Sequence, residues 1–99
     1  MPYVLRHKDT TQIYTCMLVN HYELAYYGTK FWDDEAAAEA GKNGFLAEQG
    51  LAGEAADWQV AKLSEQQMKM FNVKLKNDPR HLLYWDEAAG AEVRKRPAE

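Results

Sequence analysis

Residues 22–50 read YELAYYGTKFWDDEAAAEAGKNGFLAEQG, and this stretch decides the fold because an extended segment runs straight into a helix within it. Leu24 to Tyr27 and Thr29 to Trp32 are rich in aromatic and β-favouring side chains, with Gly28 between them as a bulge or a close backbone approach. Asp33, Asp34 and Glu35 follow at once. Their carboxylates accept hydrogen bonds from the free N–H groups of a helix start and complement its positive dipole end. Ala36, Ala37, Ala38 and Ala40 propagate the helix at little side-chain entropy cost, and Gly50 ends it by turning left-handed. Ala37, Ala38, Gly41, Gly44 and Phe45 share one side of the wheel, so the helix is expected to lie close to a sheet, anchored by Phe45. A break at Lys42-Asn43-Gly44 is the alternative, because Gly41 and Gly44 each cost about 1 kcal/mol of propensity relative to Ala.

Toward the N-terminus, Tyr3, Leu5 and His7 alternate with Val4, Arg6 and Lys8, and Asp9-Thr10-Thr11 offers turn chemistry. Gln12 to Asn20 sets Ile13, Thr15, Met17 and Val19 against Tyr14, Cys16 and Leu18. Both faces are largely apolar, as in a central strand covered at least in part on both sides. Asn20 to Glu23 turns into a third strand, giving an antiparallel meander. Toward the C-terminus, residues 51–56 read as a loop, with a frayed extra helical turn as the alternative, and Trp58 to Leu63 as a fourth strand. Ser64-Glu65-Gln66-Gln67 has the form of a capping box that opens a second helix. That cap favours a helix over the strand-like alternation of Phe71, Val73 and Leu75, with Gln67, Met68, Met70, Phe71, Lys74 and Leu75 toward one broad side, and Asn77-Asp78-Pro79 stops it. Arg80 to Trp85 reads as an edge strand or an arm over the core. Residues 87–99 are too poor in apolar side chains to offset ordering entropy, so a flexible charged tail is expected to follow one domain of residues 1–86.

A chain of 99 residues with 46% apolar content supports one ordinary core. One cysteine, Cys16, excludes an intrachain disulfide framework and any cysteine-based zinc cluster, which suits a reducing compartment and makes the cytoplasm the default expectation. MPYVLRHKD lacks an apolar core of signal-peptide length, and no apolar run approaches the roughly 20 residues needed to cross a bilayer as a helix. Net charge is −3, too mild to name a partner, but uneven: seven acids against Lys42 in residues 33–57, and Lys69, Lys74, Lys76 and Arg80 against Asp78 in residues 69–81.

Several residues invite chemistry, each with a plainer explanation. Cys16 beside His7, His21 or His81 would make a thiolate–imidazole pair, yet a cysteine in the middle of an apolar strand usually acts as a small hydrophobe. His21 with Glu23, and His7 with Asp9, have the spacing that aims both side chains to one side of a strand, as a divalent metal site would need; hydrated imidazoles near turns are commoner. Asp33, Asp34 and Glu35 are explained by capping. No glycine-rich phosphate loop is present, and no motif calls for a cofactor. Lys69, Lys74, Lys76 and Arg80 near Tyr84 and Trp85 combine phosphate contacts with stacking surfaces for single-stranded nucleic acid, against which the net negative charge argues.

Twelve aromatic residues are many for one small core. Tyr22, Tyr26, Tyr27, Trp32, Trp58, Tyr84 and Trp85 are the candidate interface, since Tyr and Trp tolerate half-burial and are enriched where proteins meet. The sequence therefore predicts an α+β domain: a three-stranded meander, a helix, a fourth strand, a second helix and a terminal arm, with both helices on one face of the sheet and rings on the other. Its expected role is a non-catalytic binding or regulatory module acting on a protein partner or on itself as a homodimer. The alternatives are the nucleic-acid binder and a small enzyme or metal domain using Cys16 or His21 with Glu23.

Overall fold

The computed structural model describes residues 1–97. The fold is α+β, with strands β1 (Tyr3–His7), β2 (Gln12–Ile13), β3 (Thr15–Val19), β4 (Ala25–Thr29), β5 (Phe31–Trp32), β6 (Trp58–Lys62), β7 (His81–Asp86) and β8 (Gly90–Lys95). Helices α1 (Glu35–Glu48) and α2 (Glu65–Leu75) alternate with them, and a 3-10 turn (Ala52–Asp57) precedes β6. All strand pairings are antiparallel. Among the described residues no helix is long and apolar enough to cross a membrane.

The expected meander is present in a bent form. β2 and β3 are one extended run interrupted at Tyr14, whose N–H donates to Leu5 O at 2.9 Å; β4 and β5 are another interrupted at Lys30, whose N–H donates to Tyr14 O at 3.1 Å. β6 takes one edge of β1 along its whole length. β5 and β2 share the other edge, so the β3–β4 hairpin is carried away from the main sheet as a two-stranded extension. At its tip Asn20 Oδ1 accepts the N–H groups of Tyr22 and Leu24 at 2.9 and 3.1 Å, and Glu23 adopts a φ of 62°.

The helices form where the caps place them. Asp34 Oδ1 accepts the Ala37 N–H at 2.7 Å at the start of α1. Gly41 and Gly44 do not break that helix; a Cβ at Gly41 would come 2.7 Å from the Trp32 indole nitrogen, so glycine there admits the ring against the helix backbone. Ser64 and Gln67 form the reciprocal capping box of α2 at 2.9 and 3.0 Å. Phe71 to Leu75 is helical, and Lys76 and Asn77 then turn left-handed at φ 55° and 54°.

The helices do not share a face of the sheet. Val4 packs with Ile13, Leu83, Met68, Phe71 and Leu75 under α2, whereas its neighbour Leu5 packs with Trp58 and Leu46 under α1. Successive strand residues point to opposite faces, so α1 and α2 cover opposite sides. This overturns the one-sided arrangement expected from sequence, and with it the idea of a ring-bearing face left open: Tyr14, Trp32 and Trp58 lie beneath α1. The cause is the two-sided apolar character of β1, whose Val4 and Leu5 are both fully buried on opposite faces, which one layer of helix cannot satisfy.

The tail expectation is also corrected. Residues 90–95 are β8, paired along its length with β7, and β7 in turn pairs with β2, so residues 81–86 are an internal strand rather than an edge or arm. Asp86 Oδ1 accepts the Ala88 N–H at 2.8 Å, Gly90 supplies a φ of 84°, and Ala91 and Val93 alternate onto the α2 core. Two inward side chains suffice for an edge strand whose partner is already in place. The last two residues of the expected tail, 98 and 99, lie outside the described residues.

Candidate interaction surface

The aromatic residues are mostly absorbed by the two cores. Tyr27 and Trp58 are buried, and Tyr26, Trp32, Tyr84 and Trp85 are half-buried; of the seven expected interface rings only Tyr22 is open to solvent, at 72%. Trp32 stacks edge-on against Phe45 under the Lys30 ammonium, which lies 4.8 Å from its ring centre. Tyr27 is tied in through its hydroxyl, which donates to His81 O at 2.6 Å and bonds Thr15 Oγ1 at 2.6 Å.

The apolar surface left in water is mainly aliphatic and concentrated on the hairpin. Met17 is 55% exposed, Val19 67% and Leu24 63%, beside Tyr22, while Phe31 is exposed where β5 leaves the hairpin. Cross-strand pairs share a face, so Thr15, Met17, Val19, Ala25, Tyr27 and Thr29 all lie on the α2 side. Thr15, Tyr27 and Thr29 are buried, Tyr27 in the α2 core, whereas Met17, directly opposite Tyr27, and the next pair, Val19 and Ala25, are exposed. Sequence reasoning placed Met17 and Val19 on the correct face and missed that they are left exposed there. The one signal for this was the uncharged run Thr10–Tyr22, longer than the strand that the main sheet uses.

A second, smaller apolar stripe lies on α2. Met70 and Val73, exposed at 48% and 61%, face away from the core flanked by Glu65, Gln66 and Lys69; Met70 was expected on the same broad side as Phe71 and Leu75. The curvature of a single helix makes this stripe convex.

The other candidate chemistry is not assembled. Cys16 is half-buried, and burial raises its thiol pKa, opposed by the nearby Lys30 ammonium, so the thiol rather than the thiolate is favoured. Burial likewise raises the Tyr14 hydroxyl. His21 and Glu23 are both exposed on the tip, with the His21 ring stacked on Tyr22 at 4.0 Å. Lys69, Lys74, Lys76 and Arg80 are exposed, but Arg80 is engaged in a two-pronged pair with Asp78 at 3.1 and 2.9 Å. Its hydrogen bonds hold the Asp78 carboxyl well below the usual range. Tyr84 and Trp85, adjacent on β7, point to opposite faces: Trp85 packs on Phe71 and Tyr84 lies under the Arg94 guanidinium. The two rings therefore do not share one stacking platform.

One cluster was not anticipated. His7, Glu54 and Asp57 bring a ligand atom each to within 4.8 Å of one another, because β1 pairs His7 with Trp58 and the 3-10 turn delivers both carboxylates. His7 Nδ1 accepts the N–H groups of Asp9 and Thr10 at 3.1 and 3.3 Å, which assigns the neutral ring's proton to Nε2. A cation on Nε2 would require moving that proton to Nδ1 against two donors. Lys8 also stands 3.7 Å from Asp57, and its N–H donates to Asp57 O at 2.9 Å. The cluster ties the β1–β2 turn to the 3-10 turn.

No family model, curated protein or solved structure matches the chain. The hairpin geometry and the placement of the reactive side chains are thus the grounds for a functional reading.

Proposed function

We propose that this protein is a small non-catalytic module that docks onto protein through the outer half of the β3–β4 hairpin. The observation that carries the reading is the exposure of Met17 and Val19 on one face of the hairpin, with Tyr22 and Leu24 exposed at its tip, since apolar side chains left in water on an element that extends beyond the main sheet mark interaction sites. It is no longer the count of aromatic rings, most of which the fold covers. Support against catalysis comes from Cys16, whose environment favours the unreactive thiol, and from the exposure of His21 and Glu23 on the hairpin tip. The compartment this reading assumes is the cytoplasm, where a lone thiol stays reduced.

A photoreactive side chain at Val19 of the full chain, activated in living cells, should give one discrete covalent protein adduct. The same group at Glu39, on the exposed side of α1, should give none. Absence of an adduct from Val19, or the same adduct from both positions, would contradict the docking surface.

A further inference from the structure

Resting on that reading, we infer that the occupant of the hairpin edge is β3 of a second copy, added antiparallel to form a four-stranded sheet across a two-fold axis. The edge is defined by the hydrogen bonds of β4. The N–H groups of Tyr27 and Thr29 turn outward to Asn77 Oδ1 and Asn72 Oδ1, at 2.6 and 3.0 Å. They therefore sit in non-hydrogen-bonded pairs with Met17 and Thr15, and those partners turn their own N–H and C=O groups away from β4. Val19, two residues further along, does the same. β3 has no strand neighbour other than β4 among the described residues, so Met17 and Val19 present an unpaired ladder beside two exposed apolar side chains.

Natural edges of this kind are blunted by charge, proline or a bulge. β3, Thr15-Cys16-Met17-Leu18-Val19, carries none of these, and no charged residue occurs from Thr10 to Tyr22. A second copy suits such an edge. An axis through Leu18 sets Met17 opposite Val19 of the copy and Val19 opposite its Met17, each pair exchanging both backbone bonds. Cys16 then meets Asn20 and Thr15 meets His21, so no formal charge faces another anywhere in the pairing. A foreign strand bearing charge would find no countercharge there. An axis perpendicular to the sheet keeps the α2 sides together and sets both copies of Met17 and Val19 side by side in one continuous apolar strip. Centring the axis on Met17 instead would drive the copy's hairpin tip along β2, whose outer edge β7 already occupies.

The test is the mass of the purified full chain, by light scattering and sedimentation across a wide concentration range, beside Val19→Pro and Val19→Lys. Val19→Pro deletes an outward N–H without removing a β3–β4 hydrogen bond, and Val19→Lys places charge on the edge. The inference expects a concentration-dependent dimer, with both variants retaining the native circular dichroism and raising its dissociation constant about tenfold or more. A wild-type chain of monomer mass at every concentration would overturn it, as would a dimer that either folded variant leaves equally tight. If Val19→Pro fails to fold, Val19→Lys decides. A strictly monomeric chain that still gives a discrete adduct with another protein from Val19 would end the second-copy inference and leave the docking reading standing.

Discussion

The inner and outer halves of the β3–β4 hairpin share strands and register but have opposite surroundings. In the inner half, Thr15, Tyr27 and Thr29 are buried, the Tyr27 hydroxyl is bonded on both sides, and the backbone edge of β4 is satisfied by Asn72 and Asn77. In the outer half, Met17 and Val19 continue the same face with nothing over them and a bare edge beside them. The two edges of the hairpin are treated differently. Asn72 on α2 and Asn77 in the turn after it stand in for a neighbouring strand along β4, and nothing does the same along the β3 edge at Met17 and Val19 among the described residues.

The largest expected effect exposes that contrast in stability. Phe71→Ala, which opens a void in the α2 core, should lower unfolding free energy by about 3–5 kcal/mol. Val19→Ala, measured at a concentration where the chain is monomeric, should change it by less than about 0.5 kcal/mol. Urea unfolding of both variants checks this, and equal losses would erase the distinction between the halves. A smaller effect belongs to the tether. Asn72→Ala strands the buried Thr29 N–H at a cost of about 1–3 kcal/mol, offset by about 0.5 kcal/mol of improved helix propensity, for a net loss of roughly 0.5–2.5 kcal/mol. Amide exchange should quicken at Thr29 more than at Ile13. Unchanged Thr29 exchange would show that the asparagine does not replace a strand.

Local chemistry was legible in the sequence. The Ser64–Gln67 box, the acidic start of α1 with Asp34 as the cap and the strand character of residues 25–32 all rest on near neighbours along the chain. What depends on distant partners was not. β8 contributes only Ala91 and Val93 to the core, and its strand character appears once β7 supplies a template. Opposite placement of the helices was implicit in the two apolar faces of β1, with Val4 on one and Leu5 on the other, but connectivity alone does not say which helix takes which face. The expected ring-rich interface failed for a related reason. A second helical layer gave Trp32 and Trp58 a cover, and the side chains left over were the aliphatics at the far end of β3. The His7–Glu54–Asp57 cluster had no local signature, because its members meet only through the β1–β6 pairing.

Amide hydrogen exchange at Met17 and Val19, followed in the purified chain at high and at low concentration, tests the central claim most directly. A paired edge predicts slow exchange at both amides at high concentration and a return to fast exchange on dilution, while Tyr27 and Thr29 stay protected throughout. Exchange at Met17 and Val19 as fast as in an unfolded chain at every concentration would contradict it.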